Sequence, residues 1–372
     1  MKQNWIALLG RRDEPTDAVE AYCHYLGDAL KVHGYGMILK RVRWDERGWA
    51  SALRRLRRRA RAWPKTWVLV QYTALAWSAR GFPLRFLRVL KLLKAAGARV
   101  GVVYHDVEPF EGKRVIDRIR RSAQLRTMRE ALRMAEAAIL TVPAEKLSWL
   151  GKDRAKPIFI PVGANLPVST TAVSRAHHGS DGKLAVAVYG ITGGEAGKRE
   201  IQEMAVALQF VTQRVKNLRV NVFGRNSREA EAELQKAFKN MDVEVRVLGV
   251  LTDEEVVRTL TVSDVLLFLR APISSRRGSA IAGIACGLPV IATEGPETAP
   301  PITEAGLAMY SPQRKGDLGE VLLRVLQDEH YRTELAQRSW LAQQQYFSWS
   351  TIAATYADFF EKSTPVKKAS EG

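Results

Sequence analysis

The chain has 372 residues, more than one hydrophobic core comfortably accommodates, because single cores stop growing near roughly 250–300 residues. It carries 57 Lys and Arg against 39 Asp and Glu, a formal net charge of +18, and only two cysteines. Two cysteines exclude a disulfide framework and a cysteine-rich zinc site. The length favours two domains. Because no apolar run reaches the ~18–20 residues that span a bilayer, we also expect the protein to be cytoplasmic.

The positive charge is concentrated in the first part of the chain. Residues 1–150 contain 30 Lys and Arg against 14 Asp and Glu, whereas residues 151–372 contain 27 against 25. The net charges of the two parts are therefore +16 and +2. A charge excess confined to one half is typical of a protein with an extended anionic partner, either a membrane face or a nucleic acid.

Apolar runs that alternate with helical stretches predict a parallel α/β sheet in the first part. A buried strand over 5–9 ends at Gly10, and a helix over 17–32 follows it, capped by Asp17. Further strands are predicted at Trp67–Val70, Val100–Tyr104, Ala138–Val142 and Ile158–Pro161. The alternation predicts right-handed crossovers within one domain over 1–165.

Arginines recur on one face of an amphipathic helix between Trp44 and Trp67, and its apolar stripe is expected to pack on the sheet. Each basic residue near an anionic leaflet contributes on the order of 1 kcal/mol, so half a dozen would hold a protein at a membrane. A second basic cluster lies between Lys113 and Arg133. Nucleic acid would also suit this charge, but no recognised motif accompanies it, so membrane docking is favoured. The arginines predicted to bind acceptor or membrane are Arg54, Arg55, Arg57, Arg58, Arg59 and Arg61.

A polar, aperiodic segment over 166–183 is typical of an interdomain linker, and a second doubly wound domain is predicted over 184–345. Its predicted strands are Leu184–Tyr189, Leu218–Phe223, Val243–Leu248, Val265–Phe268 and Leu288–Ala292, and its predicted helices are Glu200–Val215, Ser227–Phe238 and Glu254–Leu260. An amphipathic helix over 346–362 and a flexible tail over 363–372 end the chain.

The run Ala285–Thr293 predicts the end of a helix, a glycine-proline turn and the next strand. With its approach over 248–255 and 263–268, it resembles the donor-binding half of family 4 glycosyltransferases. That resemblance implies the GT-B fold, in which two Rossmann-like doubly wound domains face a cleft and a C-terminal helix crosses back. It further implies metal-independent transfer of a sugar from a nucleoside diphosphate, with retention of configuration. The two glutamates usual in the family align with Ser274 and Ala282, so this chain has neither.

His105 follows the predicted strand Val100–Tyr104, where the chain leaves the carboxyl edge of the sheet and ligands commonly bind. The family has a histidine in a comparable loop that contacts the transferred sugar, so His105 is the catalytic candidate. Alternatively, His105 only orders its loop, for example by pairing with Asp106. Gly10 ends the first strand, where a missing side chain lets a backbone amide approach a phosphate, although a simple turn explains it equally.

Donor binding in the second domain is expected from the glycine-rich stretch over 189–198, which suits a diphosphate. Relatives have an arginine just after the first glycine, where this chain has Ile191. Arginines of the 274–279 loop would fill that vacancy, because a guanidinium forks onto phosphate oxygens; a solvated surface loop is the alternative. The predicted donor-binding residues are Gly10, Gly190, Lys198, Gly224, Arg225, Arg276, Arg277 and Ser279.

The pair His177-His178 lacks a third ligand at metal spacing, so no metal and no cofactor beyond the nucleotide-sugar substrate is expected. The expected function is glycosyl transfer to a lipid-linked or polysaccharide acceptor at the inner face of the cell membrane. The alternatives are a non-catalytic protein that binds a glycan or a partner, a nucleic-acid-binding protein, and a sugar-nucleotide epimerase.

Overall fold

The computed structural model of the protein describes residues 3–151, 157–168 and 182–363. The chain divides into two compact units: unit 1 is Met1–Pro161 together with Trp349–Gly372, and unit 2 is Val162–Ser348. Each unit contains one six-stranded sheet in which the paired strands are parallel. Most of the predicted linker lies outside the described residues, as do His177, His178 and the tail from residue 364.

Unit 1 is a parallel sheet between helices. Its strands are β1 (Gln3–Leu9), β2 (Tyr35–Arg41), β3 (Trp67–Tyr72), β4 (Arg99–Tyr104), β5 (Ala137–Leu140) and β6 (Ile158–Phe159), in the spatial order β2-β1-β3-β4-β5-β6. Its first helices are α1 (Ala18–Leu30), α2 (Trp44–Ala60), α3 (Ala74–Trp77), α4 (Phe86–Ala95) and α5 (Val115–Met134). All six residues of β3 are buried, as expected for a central strand covered on both faces.

Unit 2 repeats the architecture with the strand order of a doubly wound dinucleotide-type sheet. Its strands are β7 (Leu184–Tyr189), β8 (Leu218–Phe223), β9 (Val243–Gly249), β10 (Val265–Leu267), β11 (Val290–Ala292) and β12 (Leu307–Met309), in the order β12-β11-β10-β7-β8-β9. Its helices are α6 (Glu195–Val211), α7 (Glu231–Phe238), α8 (Asp253–Thr261), α9 (Gly278–Ala285), α10 (Asp317–Gln327) and α11 (Glu329–Ala342). Short 3₁₀ turns occur at Lys31–His33, Pro83–Arg85, Ala144–Lys146 and Ile302–Glu304, and Gln343–Phe347 forms a π-helical turn.

The last helix, α12 (Trp349–Lys362), follows unit 2 in the chain but belongs to unit 1. The Phe360 ring lies edge-on against Trp67, with the ring centroids 4.6 Å apart, and 4.9 Å from the ring of Trp5. The hydroxyls of Tyr356 and Tyr22 are hydrogen-bonded at 2.8 Å in the interior. The amphipathic pattern predicted for this helix is therefore the surface it buries in the core of unit 1. Among the described residues, no helix combines the length and apolar character that crossing a bilayer requires.

The structure adds elements that the sequence pattern did not predict. The strand β2 lies at the sheet edge with mostly half-buried residues, so it carries no continuous apolar run. The strand β12 has only three residues, and helices α10 and α11 were not predicted. Helix α6 begins at Glu195, five residues before the prediction, because glycines at 193, 194 and 197 hide its first turn.

The strand order reverses once in each sheet, and these switch points mark where a ligand has room to bind. In unit 1 the chain moves from β1 to β2 on one side and later to β3 on the other; in unit 2, β8 and β10 flank β7 in the same way. Ligands of open α/β sheets bind outside the carboxyl ends of the strands at such a point.

Candidate functional site

The floor of the switch point in unit 2 consists of three glycine turns at the carboxyl ends of adjacent strands. Gly190, Gly224 and Gly249 follow or end β7, β8 and β9 with φ values of +83°, +88° and +77°. The N–H of Gly190 donates to the carbonyl of Phe223, and the N–H of Gly224 donates to the carbonyl of Gly249, both at 2.7 Å. A Cβ on Gly224 would lie 2.8 Å from the Tyr189 ring, so glycine is required for both conformation and space.

Helix α6 begins directly above this floor. Its N-cap, Gly194, has φ +67° and makes no side-chain capping bond, so the amino end of a 17-residue helix presents N–H groups at the switch point. The buried Glu200 accepts the N–H of Thr192 at 3.0 Å and fixes the loop that precedes the helix. A Cβ on Gly197 would lie 1.9 Å from the Thr192 carbonyl, so this glycine permits the close approach of loop and helix. The arrangement suits an anion.

Arg270 supplies a cation at this point, and the sequence pattern did not identify it. It lies three residues beyond β10, and a Cβ on Gly190 would be only 2.9 Å from its Nη1 atom. Arg270 is exposed, but partial desolvation by neighbouring residues lowers its pKa. The negative charge of Glu200 opposes this shift, and the positive charge of Arg225 adds to it. Arginine stays protonated under such a shift. Arg270 makes no salt bridge within 4.0 Å to any described residue, so its charge is available to a ligand.

Relatives carry an arginine at the position of Ile191, and the structure shows how Ile191 and the loop before α9 are held in this chain. Ile191 is buried in the core of unit 2, so an arginine could not be accommodated there without reorganising the loop. Arg276 is also committed, because its Nε and Nη2 atoms donate to both carboxylate oxygens of Glu297 at 2.7 and 2.6 Å. Ser274 donates to the same carboxylate at 3.0 Å. Burial alone would raise the pKa of Glu297, but its bonds from Arg276 and Ser274 and the charge of Arg277 lower it.

The remaining predicted donor residues lie at the same edge of unit 2. Lys198 is exposed in the first turn of α6 and pairs with Glu195 at 2.7 Å, which raises the pKa of the lysine. Arg225 directly follows Gly224, and Ser279 lies in the first turn of α9. Arg277 caps that helix and donates to the carbonyl of Pro272 at 3.3 Å.

Gly10 lies in unit 1, on the wall of a cavity of ≈ 240 Å³ at the β1–β3 switch point. A Cβ on Gly10 would lie 2.2 Å from the Ala76 carbonyl, and that carbonyl accepts the N–H of Arg11 at 2.8 Å. Glycine is therefore needed here so that the loops after β1 and β3 can touch.

His105 is held beside this cavity rather than at its surface. Its Nε2 atom is 2.8 Å from Oε1 of the buried Gln71, whose own amide nitrogen donates to the carbonyl of Leu69 at 3.2 Å. Because that second bond fixes the amide, the histidine is the donor in the first. The ring also lies edge-on to Tyr22, with the centroids 5.0 Å apart. The cavity wall next to His105 consists of Gln71 and Asp106, and the Asp106 carboxylate accepts the N–H of Ala74 at 2.7 Å.

The six arginines predicted to bind acceptor or membrane divide into two groups. Arg55 and Arg59 line a second cavity of unit 1, of ≈ 470 Å³. The other four are exposed on α2 or just after it and lie outside that cavity: Arg54, Arg57, Arg58 and Arg61. Within residues 3–151, 157–168 and 182–363, no three His, Cys, Asp or Glu side chains group in a way that could hold a metal ion.

No protein-family profile matches the chain, and no curated protein matches it in sequence. Solved structures match it over nearly its whole length. Sucrose-phosphate synthase from Thermosynechococcus elongatus superposes with a TM-score of 0.67 and 16% identity, over 97% of this chain and 99% of its own. The chain has the GT-B fold. HepE from Anabaena, solved with UDP and glucose, has a TM-score of 0.65 and 14% identity, over 96% of this chain and 99% of its own.

The same two-domain fold also serves another activity on sugar nucleotides. A structure from Listeria monocytogenes, described as a candidate UDP-N-acetylglucosamine 2-epimerase, matches with a TM-score of 0.62 and 13% identity, over 96% of this chain and 97% of its own. The GT-B fold therefore leaves the reaction to be argued from the residues of the site. Membership of glycosyltransferase family 4 stays a prediction.

Proposed function

We propose that the protein is a glycosyltransferase that takes a sugar from a nucleoside diphosphate bound at the switch point of unit 2. The observation that carries this proposal is Arg270, whose guanidinium lies over Gly190 and makes no salt bridge to any described residue. The amino end of α6 and the turn at Gly224 complete the surroundings of a diphosphate.

Glycosyl transfer from such a donor needs a stabilised leaving group. The bond between the sugar C1 and the diphosphate oxygen breaks and its electron pair stays on the diphosphate. The acceptor hydroxyl oxygen forms the new bond to C1, and its proton passes to the departing diphosphate. A fixed cation beside the diphosphate lowers the energy of the transition state more than that of the bound donor, because negative charge grows there as the bond breaks. We assign this role to Arg270, with Arg225 and Lys198 as further cations.

The other predicted donor residues have supporting roles in this proposal. Arg277 and Ser279 at the start of α9 lie at the same edge of unit 2 and would contact the phosphates or the sugar. Arg276 acts indirectly, because its bidentate pair with Glu297 fixes the loop before α9. Reaction through donor phosphates and protein cations, without a metal and with retention, belongs to the same proposal.

Unit 1 would bind the acceptor. We assign His105 to a contact with the transferred sugar, since its hydrogen bond to Gln71 fixes the ring at the carboxyl edge of the unit 1 sheet. The exposed arginines of α2 would hold the protein against an anionic leaflet, where each contributes on the order of 1 kcal/mol. A lipid-linked or polysaccharide acceptor at the inner membrane face is consistent with this charge.

The test is incubation of the purified protein with radiolabelled nucleotide sugars, with and without a membrane extract as the acceptor source. We expect transfer of label, and we expect Arg270→Gln to lower the rate at least tenfold. Arg258→Gln, which removes an exposed arginine from α8, should leave the rate unchanged. Equal rates in the two variants would contradict the role of Arg270, and failure of every nucleotide sugar to bind would contradict the proposal.

A non-catalytic GT-B protein is the second candidate, and one observation favours it. The positions of the two family glutamates hold Ser274 and Ala282, both buried, and Glu297 neutralises the nearest arginine. Such a protein would bind a nucleotide or a glycan without turnover. Released UDP without transfer would indicate hydrolysis, and a changed sugar configuration without acceptor would indicate epimerisation.

A further inference from the structure

Unit 1 contains a basic cavity that the donor site does not explain. It has a volume of ≈ 470 Å³ and lies where β1 and β2 end and α2 begins. Apolar side chains such as Leu56 and Trp63 form its floor. Six cationic side chains surround it, namely Lys40, Arg41, Arg43, Arg47, Arg55 and Arg59, whereas Glu20 is the acidic residue of its lining.

Two of the six cations are neutralised within unit 1. The Nη2 atom of Arg41 lies 3.0 Å from Oδ2 of Asp17 and 3.3 Å from Oε2 of Glu20. The Nη1 atom of Arg43 lies 3.5 Å from Oε2 of Glu46. Among the described residues, no carboxylate lies within 4.0 Å of the remaining four cations, which are Lys40, Arg47, Arg55 and Arg59. The cavity therefore concentrates four positive charges that form no ion pair with a described carboxylate.

The cations around this cavity repel one another. Arg55 and Arg59 are one helical turn apart, and like charges at that spacing destabilise a helix. The positive charge of Arg47 is the largest cause of the lowered pKa of Arg55. Desolvation by adjacent residues and the positive charge of Arg59 lower it further. A bound anion would relieve this repulsion, and the protein's own carboxylates do not.

We propose that this cavity binds the diphosphate group of a phosphorylated acceptor. Diphosphate is favoured over a single phosphate because four uncompensated cations exceed the charge of ≈ −1.5 to −2 on one phosphate monoester at pH 7. Guanidinium groups also bind phosphate oxygens in a bidentate manner. The inference rests on the proposed function, since it names the acceptor class for unit 1. It places the diphosphate among Arg47, Arg55 and Arg59 of α2 and leaves Arg54, Arg57 and Arg58 of that helix to the surface.

The chain offers a matched control for this site. Arg54 and Arg58 are on the same helix with the same spacing as Arg55 and Arg59, and they are exposed outside the cavity. Replacing either pair by glutamine removes two charges from α2. Only the loss of Arg55 and Arg59 should change a cavity site, whereas a diffuse electrostatic effect would respond equally to both pairs.

The experiment is isothermal titration of the full-length protein with inorganic diphosphate, both alone and in the presence of excess UDP, which occupies the proposed donor site. We expect saturable binding that R55Q/R59Q weakens at least tenfold and R54Q/R58Q changes less than twofold. Circular dichroism and the melting temperature of each variant establish that it is folded. Absence of binding by the wild-type protein, or equal loss in both variants, would overturn the proposal.

The source of the diphosphate is tested by repeating the titration with geranyl diphosphate, which adds a short apolar chain, and by sedimentation with phosphatidylglycerol vesicles. Weakening of diphosphate and geranyl diphosphate binding in R55Q/R59Q alone supports the cavity. Vesicle binding that falls equally in both variants, with no diphosphate binding, overturns it in favour of surface adhesion. A UDP titration of R55Q/R59Q separates the two proposals, because unchanged UDP affinity leaves the donor site standing even if the cavity site fails.

Discussion

Replacement of Arg276 by glutamine should destabilise unit 2 by about 3 kcal/mol at pH 7. Removing one partner of a buried ion pair costs about 3–5 kcal/mol, because the other charge stays buried without compensation. The lower value applies because the side chains of Arg276 and Glu297 are 19% and 13% exposed. The serine hydroxyl of Ser274 remains as a donor to the carboxylate but supplies no charge.

The reverse replacement should cost less. Glu297→Gln keeps an acceptor for Arg276 and leaves a cation that can turn toward water, so we expect a loss of about 1–2 kcal/mol. The double variant should be more stable than the sum of the single losses predicts, with a coupling energy of about 1–2 kcal/mol.

The pH dependence follows from the lowered pKa of Glu297. Its stabilising contribution is present above the unfolded pKa of about 4.3 and is lost as the pH falls through the folded value. Without Arg276, burial is opposed only by Ser274 and Arg277, so the pKa of the glutamate is higher than in the wild type and the variant takes up this proton at a higher pH. The difference in stability between wild type and Arg276→Gln should therefore shrink from pH 7 toward pH 4.

Urea unfolding followed by circular dichroism at these pH values measures the free energies of all four proteins of the cycle. A loss below about 1 kcal/mol for Arg276→Gln, or a loss that does not depend on pH, would refute this account of the pair. Independent additive losses in the double variant would refute the coupling.

Three further predictions concern single positions. Gly224→Ala should lower the stability of unit 2 by more than the ~1–2 kcal/mol expected for positive-φ strain, because the new Cβ also lies 2.8 Å from the Tyr189 ring. Gly316→Ala is the control: Gly316 has φ +85° and open space around its Cβ position, so the same urea assay measures the strain alone. Lys198→Ala should weaken UDP binding two- to tenfold in a titration, and unchanged affinity would remove this lysine from the phosphate site. His105→Ala should reduce transfer while UDP affinity stays constant, and Gln71→Ala should reduce transfer less; a loss of UDP affinity in either variant would contradict a role confined to unit 1.

The sequence predicted the architecture because buried parallel strands are short apolar runs, and these recur in both units. The run Ala285–Thr293 indeed ends helix α9, turns at Gly287 with φ +68° and enters β11. The strand β2 escaped the same reasoning because an edge strand is half-exposed and its apolar and polar residues do not form a run. Its omission matters, since Lys40 and Arg41 at the end of that strand belong to the basic cavity.

The chemistry of individual side chains was less predictable, because charge partners are distant in sequence. Arg276 and Arg270 look alike in the sequence, yet Glu297 neutralises the first, and the second lies over a glycine turn 80 residues earlier in the chain. A useful signal was available: an arginine just after a predicted strand end in the second domain, at the edge where ligands bind. The six arginines of α2 likewise formed one group by composition, whereas helix geometry places only Arg55 and Arg59 in the cavity.

Isothermal titration of UDP into the wild-type protein, Arg270→Gln and the matched control Arg258→Gln shows whether a diphosphate binds at the switch point of unit 2. If the switch point of unit 2 binds the diphosphate, the wild type and the control should bind UDP with equal Kd. The loss of one charge-assisted contact of about 1.5–3 kcal/mol should raise the Kd of Arg270→Gln at least tenfold. Equal affinities in all three proteins, or no binding of UDP, ADP or GDP to the wild type, would contradict the account.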